Sequence, residues 1–340
     1  MFRDKRHILV LGAGSVGKRH LNNFAELGCV LSAMDPREDR LNEASKEVNL
    51  EMSFNNLEDA LKSVHPFDGV VIGSPPKYHV QQCVEFAKKG IPMLLEKPVS
   101  PTLQEALELD KVLRGLSFTK LLLGYTYRWW PPLSRFHDYL KSGKVGKPLY
   151  GKFVMSAHLA DWHPWEPYQD FFMASKDLGG GALLDESHFI DLMVMFFGIP
   201  TSLFAKVEKL SSLEIETDDN VEVMAMYDDG LRVSIHLDLY TRPHERYITV
   251  TGEKGTLRWS FDPNTVSYGN EMNHEWEIEE FNYERNDMFV KVAEEFIRLL
   301  DGHLELTCTL NDGINALSIV EACRNSSRLN KTVLLTEGSL

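Results

Sequence analysis

Residues 8–17 read ILVLGAGSVG, and no other stretch constrains the fold as tightly. An apolar run ends in glycines spaced as GxGxxG, and an amphipathic segment, Val16 to Leu27, follows directly. A strand turning sharply into a helix predicts the first βαβ unit of a dinucleotide-binding sheet. Gly12 allows the tight turn, Gly14 lets the backbone approach a pyrophosphate, and Gly17 lets helix and sheet pack closely. Ser15 and Val16 open a helix whose oriented N–H groups suit a phosphate. The next strand, Val30 to Met34, ends at Asp35, close to the spacing of a ribose-binding carboxylate. Such an acid repels a 2'-phosphate and so favours NAD; Arg37 and Arg40, just beyond, offset part of that repulsion and leave NADP open.

Alternation of short apolar strands and helices continues through the first third. Strands are expected at Ile8 to Leu11, Val30 to Met34, Val70 to Ile72, Pro92 to Leu95 and Leu121 to Gly124. Helices are expected at Val16 to Leu27, Leu57 to Val64, Tyr78 to Lys88 and Leu103 to Leu113. The pattern predicts a parallel sheet covered on both faces. After Tyr125 the rhythm changes: a helix from Leu133 to Lys141, a strand from Leu149 to Ala157, and a long aromatic loop from Ala160 to Lys176. Strands at 203–209, 221–227, 231–240, 247–251 and 256–260 follow, with hairpin turns at Asp229-Gly230 and in TGEKGT. Helices at Met288 to Leu300 and Ile314 to Arg324 close the chain. At 340 residues two domains are expected, a Rossmann domain over 1–125 and a substrate and oligomerisation domain over 126–340. The fold class is therefore α/β: an N-terminal Rossmann doubly wound parallel sheet plus a C-terminal α+β domain with a large open, mostly antiparallel sheet.

A formal charge of -14 argues against nucleic acid or an anionic membrane as general partner. No stretch is apolar enough for a bilayer span, and the basic N-terminus lacks a signal-peptide cleavage site. Cys29, Cys83, Cys308 and Cys323 have no metal-ligand spacing and read as reduced core thiols, so a cytoplasmic location is expected.

Two further motifs end strands at the same sheet edge: Gly73-Ser74-Pro75-Pro76-Lys77-Tyr78-His79 and Leu95-Glu96-Lys97-Pro98. In a doubly wound sheet, ligands bind at that edge. Lys97-Pro98 is a candidate cis peptide. A third motif, GGGALLDESHFIDLM from Gly179 to Met193, sets Asp185, Glu186, His188 and Asp191 in an otherwise apolar helical run. Buried ionisable groups without partners are costly, so these are paired, lie in a cleft, or act.

The fingerprint, Glu96-Lys97-Pro98 and the later GGGALLD with its nearby His together resemble the glucose-fructose oxidoreductase and inositol dehydrogenase family, known as Gfo/Idh/MocA, over nearly the whole chain. The resemblance implies a Rossmann domain, a second domain on a large open sheet, and oxidation or reduction of sugars, cyclitols and related alcohols. It makes Lys97 catalytic or substrate-binding, His188 the acid/base, and Asp185 its support. One departure stands out: the family commonly has Asp-x-x-x-His, whereas only Glu186 and Ser187 separate Asp185 from His188.

The residues suit that chemistry. Hydride leaves a secondary alcohol only as its hydroxyl proton leaves, which calls for a cation at the oxygen and a proton acceptor. Lys97 offers the first and His188 the second; Asp185 and Asp191 each lie three residues from His188, so a structural pair with Asp191 remains open. The loop DWHPWEPYQD sets aromatic faces beside polar groups, as a sugar ring or an oligomer contact would need. Cofactor contacts are accordingly assigned to Gly12, Gly14, Ser15, Val16, Gly17, Asp35, Arg37, Ser74, Pro75, His79, Glu96 and Lys97. Substrate contacts are assigned to Lys97, Arg128, Trp162, His163, Asp185, His188 and Arg242, with Arg128 also able to brace the domain junction. No metal is expected. The function expected is hydride transfer between NAD(P) and a carbohydrate-like alcohol or ketone in a homodimer or homotetramer built on the C-terminal sheet. The alternative is a non-catalytic NAD(P)-binding sensor or accessory protein of the same fold.

Overall fold

Apolar strands buried on both faces need helices on both sides, and the first third of the chain supplies them. The structure is a computed structural model describing residues 5–162, 166–270 and 275–335. Strands β1 (His7–Leu11), β2 (Val30–Met34), β3 (Leu50–Phe54), β4 (Gly69–Ile72), β5 (Met93–Glu96) and β6 (Leu121–Gly124) form a sheet of order β3-β2-β1-β4-β5-β6. All its pairings are parallel. Helices α1 (Ser15–Glu26), α2 (Glu38–Glu47), α3 (Leu57–Leu61), α4 (His79–Lys88) and α5 (Leu103–Gly115) alternate with them. Every residue of β1, β4, β5 and β6 is buried. Strand β3 and helix α2 had no expectation in the sequence: β3 is an edge strand with alternate residues exposed, and α2 buries only Leu41 and Ala44.

The chain divides into two compact units, Met1–Trp129 with Arg285–Ile314, and Trp130–Glu284 with Asn315–Leu340. Helix α9 (Arg285–Leu300) thus belongs to the first unit, where the rings of Phe24 on α1 and Phe296 meet edge-on at 5.9 Å. Gly69 permits this approach, since a Cβ there would lie 2.8 Å from Phe296.

In the second unit, β7 (Pro148–Ser156), β8 (Ser202–Glu208), β9 (Asn220–Met226), β10 (Arg232–Asp238), β11 (Glu245–Gly252), β12 (Gly255–Ser260), β13 (Thr265–Asn270), β14 (Trp276–Glu280) and β15 (Val333–Leu334) form one sheet. Its order is β14-β13-β12-β11-β7-β10-β9-β8-β15, antiparallel except for the β7–β10 pair. Helices α6 (Pro131–Lys141), α7 (Ala182–Asp185) and α8 (His188–Phe197) pack on it, and α10 (Leu310–Leu329) precedes β15. Strand alternation sends Val221, Val223, Val233, Ile235, Leu237, Ile248 and Val250 under the helices. The opposite face carries Tyr150, Met224, Trp276 and Ile278, which are 41, 37, 47 and 60% exposed. The register places all four on that face.

Candidate active site

The glycine turn joins β1 to α1 where the strand order reverses, the place where ligands bind in such sheets. Gly12 has φ +88°, and a Cβ on it would lie 2.7 Å from the carbonyl oxygen of Gly73, beyond β4. A Cβ on Gly17 would lie 1.7 Å from the Gly12 oxygen. Backbone therefore meets backbone here, and any side chain at either position would fill the turn. Gly14 differs, with φ -74° and only the Arg40 guanidinium, at 3.5 Å, near where its Cβ would be. Its glycine leaves the outer side of the turn open toward the start of α1, where Ser15 and Val16 lie.

Asp35 closes this arrangement at the end of β2. It is 2% exposed; Oδ2 accepts from the Ala13 N–H at 2.8 Å and Oδ1 from the Arg37 N–H at 2.9 Å. Arg40 Nη1 stands 3.9 Å from Oδ2, whereas the Arg37 guanidinium pairs with Asp39. A buried carboxylate fixed to the glycine turn fits the hydroxyl groups of a cofactor ribose, and the bare turn fits a pyrophosphate.

Beside this turn, Ser74 Oγ donates to Gln82 Oε1 at 2.7 Å, and Pro75 leads into α4. His79, the first residue of α4, is fully buried, with Nδ1 2.8 Å from the Pro98 carbonyl oxygen and Nε2 2.8 Å from that of Ser74. Burial pushes its pKa down, against the pull of the two carbonyls. Lys97, half-buried, follows β5, and its peptide bond to Pro98 is cis. The Glu96 carboxylate turns toward α1, where His20 Nε2 donates to it at 2.7 Å. Arg128 is a brace within the first unit: its guanidinium is 6% exposed and donates to the Thr307 carbonyl at 3.0 Å and to Asp312 at 3.1 Å.

In the second unit, the run expected as one helix is two. α7 ends at Asp185, Glu186 and Ser187 make a turn, and α8 begins at His188. The break is tight: Ser187 Oγ donates to the Leu184 carbonyl at 2.7 Å and the Phe189 N–H to Glu186 at 3.0 Å. It falls on the very residues that shorten the Asp-to-His spacing. Asp185, Glu186 and Asp191 are buried, and His188 is half-buried. The glycines before α7 serve close approach, since a Cβ on Gly181 would lie 2.4 Å from Asp218 Oδ1. Asp218 caps α7 by accepting from the Leu183 N–H at 2.8 Å, and burial pushes its pKa up. This cap carries a faint sequence signal, two successive acids in TDDN before an alternating strand; His20, whose partner lies 76 residues away, carries none.

Trp162 is half-buried, and His163 lies outside the described residues. Arg242 makes a two-pronged pair with Asp161, at 2.6 and 2.7 Å. That bond holds Asp161 below the usual carboxylate range. His158, nearby, is pushed down by burial and by Arg242. Among the described residues no cluster of three or more His, Cys, Asp or Glu is arranged for a metal ion, and no helix is long and apolar enough to cross a membrane.

Two family models match the sequence: an oxidoreductase family's NAD-binding Rossmann fold over residues 6–121, and the GFO/IDH/MocA C-terminal domain over residues 134–258. The rhizopine catabolism protein MocA of Rhizobium meliloti is 26% identical over 338 residues, covering 95% of this chain and 96% of that protein. An inositol 2-dehydrogenase of Corynebacterium glutamicum is 26% identical over 143 residues, 41% of this chain and 42% of its own. Among solved structures, levoglucosan dehydrogenase in complex with NADH and levoglucosan superimposes with a TM-score of 0.86 at 15% identity, over 98% of this chain and all of that one (100%).

Proposed function

Because this chain belongs to the Gfo/Idh/MocA family of NAD-binding oxidoreductases, we propose that it moves hydride between NAD and a secondary alcohol, or the matching ketone, of a sugar, cyclitol or nucleotide sugar. The observation that carries the reading is the position of Lys97. It is a half-buried ammonium at the end of β5, on the same edge of the parallel sheet as the glycine turn after β1 and the Ser74 loop after β4. A similarity to inositol 2-dehydrogenase and to levoglucosan dehydrogenase supports the class of substrate.

NAD, when bound, supplies the hydride acceptor. The Ala13 N–H holds Asp35 at the sheet edge, where the carboxylate accepts from the ribose hydroxyls; the turn of Gly12, Gly14 and Gly17, with Ser15, Val16, Ser74 and Pro75, receives the pyrophosphate and its neighbours. Lys97 donates to the reacting oxygen and stabilises it as its proton leaves, an effect worth on the order of several kcal/mol for a preorganised donor. His188 accepts the hydroxyl proton, and Asp185 supports the imidazole. Trp162, His163 and Arg242 hold the sugar ring.

The uncovered face of the second unit's sheet, with Tyr150, Met224, Trp276 and Ile278 more than a third exposed, is covered by a second copy of the chain, giving a dimer or tetramer.

The test mixes the protein with NAD or NADP and a panel of sugars, cyclitols and nucleotide sugars while following nicotinamide absorbance. Lys97→Ala and His188→Ala should still bind NAD but lose turnover by a factor of about 10² to 10⁴, the usual contribution of acid/base groups. Near-wild-type rates in both variants would sink the assigned roles.

A further inference from the structure

We infer that two buried histidines, His20 and His79, act as positioning residues that fix Lys97 from both sides of the chain. The inference rests on the reading of Lys97 as the cation at the reacting oxygen.

The residue before Lys97 is held by α1. Glu96 is 6% exposed, and its Oε1 accepts from His20 Nε2 at 2.7 Å. The residue after Lys97 is held by α4. The Pro98 carbonyl lies 2.8 Å from His79 Nδ1. Both histidines are 0% exposed, so neither bond competes with water. His79 reaches further, because its Nε2 lies 2.8 Å from the Ser74 carbonyl and so ties the loop after β4 to the loop after β5. Glu96 itself is packed, since a Cβ on Gly124 of β6 would come within 3.2 Å of its carboxyl carbon.

The two clamps differ in kind. His20 grips a side chain between aromatic neighbours, its ring 6.4 Å from Phe24 and 6.1 Å from Phe289. Among the described residues His20 Nδ1 has no hydrogen-bond partner, so the bond from Nε2 to Glu96 is what orients the ring. His79 grips two carbonyls, and a neutral ring can donate to only one of them at a time. Loss of either histidine frees one flank of Lys97 while leaving the glycine turn and Asp35 untouched. A misplacement of about 1 Å at a reacting group costs on the order of 10²-fold in rate.

The experiment compares wild type, His79→Phe, His79→Gln and His20→Phe, each also in a Lys97→Ala background. Turnover is read as kcat and KM, NAD binding by titration, and folding by thermal midpoint. Lys97 acetylation under limiting reagent, read by mass spectrometry, reports its placement without any need for turnover. The expected result is a fall in kcat of about 10- to 100-fold in all three variants, with NAD affinity changed less than about threefold in His20→Phe, whose residue has no assigned cofactor contact. Partial recovery is expected in His79→Gln, which restores one donor, and Lys97 acetylation should change in all three variants. In the Lys97→Ala background the histidine changes should cost nothing more. Unchanged acetylation with wild-type kcat, or an equal further loss without Lys97, would overturn the inference. Full turnover in Lys97→Ala alone would instead overturn the catalytic reading, and acetylation would still decide the clamp. Should His79→Phe not fold, His79→Gln and His20→Phe decide it.

Discussion

His236 Nε2 lies 3.0 Å from Asp238 Oδ2, two residues along β10, while its Nδ1 lies 2.6 Å from Glu222 Oε1 of β9. Both nitrogens face carboxylates, which favours the charged form of the ring. Its pKa is raised, first by the hydrogen bond to Asp238 and against the cost of burial. Burial alone would raise Asp238, but bonds from His236, the Tyr240 N–H, Ser156 and Thr241 outweigh it and hold the carboxyl at about 2. The signs are opposite. The His236 contribution is complete below its ordinary value of 6.5 and is lost as pH rises through the raised one. The Asp238 contribution is present above 3.8 and is lost as pH falls through about 2. The thermal midpoint should therefore decline as pH rises above 6.5, and His236→Gln should lack that decline. A parallel decline in the variant would show that another group is responsible.

The fingerprint glycines should separate folding from binding. A Cβ at Gly17 would lie 1.7 Å from a backbone oxygen that cannot retreat, so Gly17→Ala should destabilise by about 3 kcal/mol, the upper end for overpacking. At Gly14 the same Cβ would meet only the Arg40 side chain at 3.5 Å, an ordinary contact. Gly14→Ala should melt like wild type and bind NAD more weakly. Denaturant unfolding alongside NAD titration distinguishes them; equal stability losses in both would refute the division.

These contrasts also show what local sequence can carry. The glycine turn, Asp35 and the strands of the first sheet are contiguous patterns, each requiring only its own neighbours to be read. The start of α7 is not, because its capping carboxylate, Asp218, lies 35 residues further along the chain. The Glu96 carboxylate reads as a site group beside Lys97, yet its partner is a histidine on α1. The return of Arg285–Ile314 to the first unit is likewise invisible until Phe296 is seen against Phe24 and Gly69. Edge strand β3 and the polar helix α2 fail for another reason: with few buried residues, neither leaves a strong apolar period.

Asp35 should set the choice of cofactor. Removing its carboxylate takes away a charged acceptor for the ribose and the repulsion of a 2'-phosphate. Asp35→Ala should weaken NAD about 10- to 100-fold, the cost of a lost hydrogen bond to a charged group, and narrow or invert the preference over NADP. Binding of both cofactors measured by calorimetry checks this, and an unchanged ratio would place selectivity elsewhere.

The exposed sheet face gives a prediction about assembly. Met224 and Ile278 lie on the same face of the nine-stranded sheet, and neither contributes to the buried side. Met224→Lys with Ile278→Lys should leave the fold intact and lower the mass measured by sedimentation. A wild-type protein that sediments as a monomer would refute the assembly outright.

The Arg242–Asp161 pair allows a substrate role to be separated from a structural one. Both side chains are more than a third exposed, and exposed ion pairs contribute little to stability even when two-pronged. Arg242→Ala should therefore leave the thermal midpoint unchanged. If the guanidinium also donates to a substrate hydroxyl, KM for the substrate should rise about tenfold, as for the loss of one charged hydrogen bond, while KM for NAD stays constant. Asp161→Asn tests the other half. It keeps the shape but removes the charge that orients Arg242, so it should raise the same KM by a smaller factor. Steady-state kinetics on both variants decide the matter: a changed midpoint with unchanged KM would assign the pair to holding the loop alone.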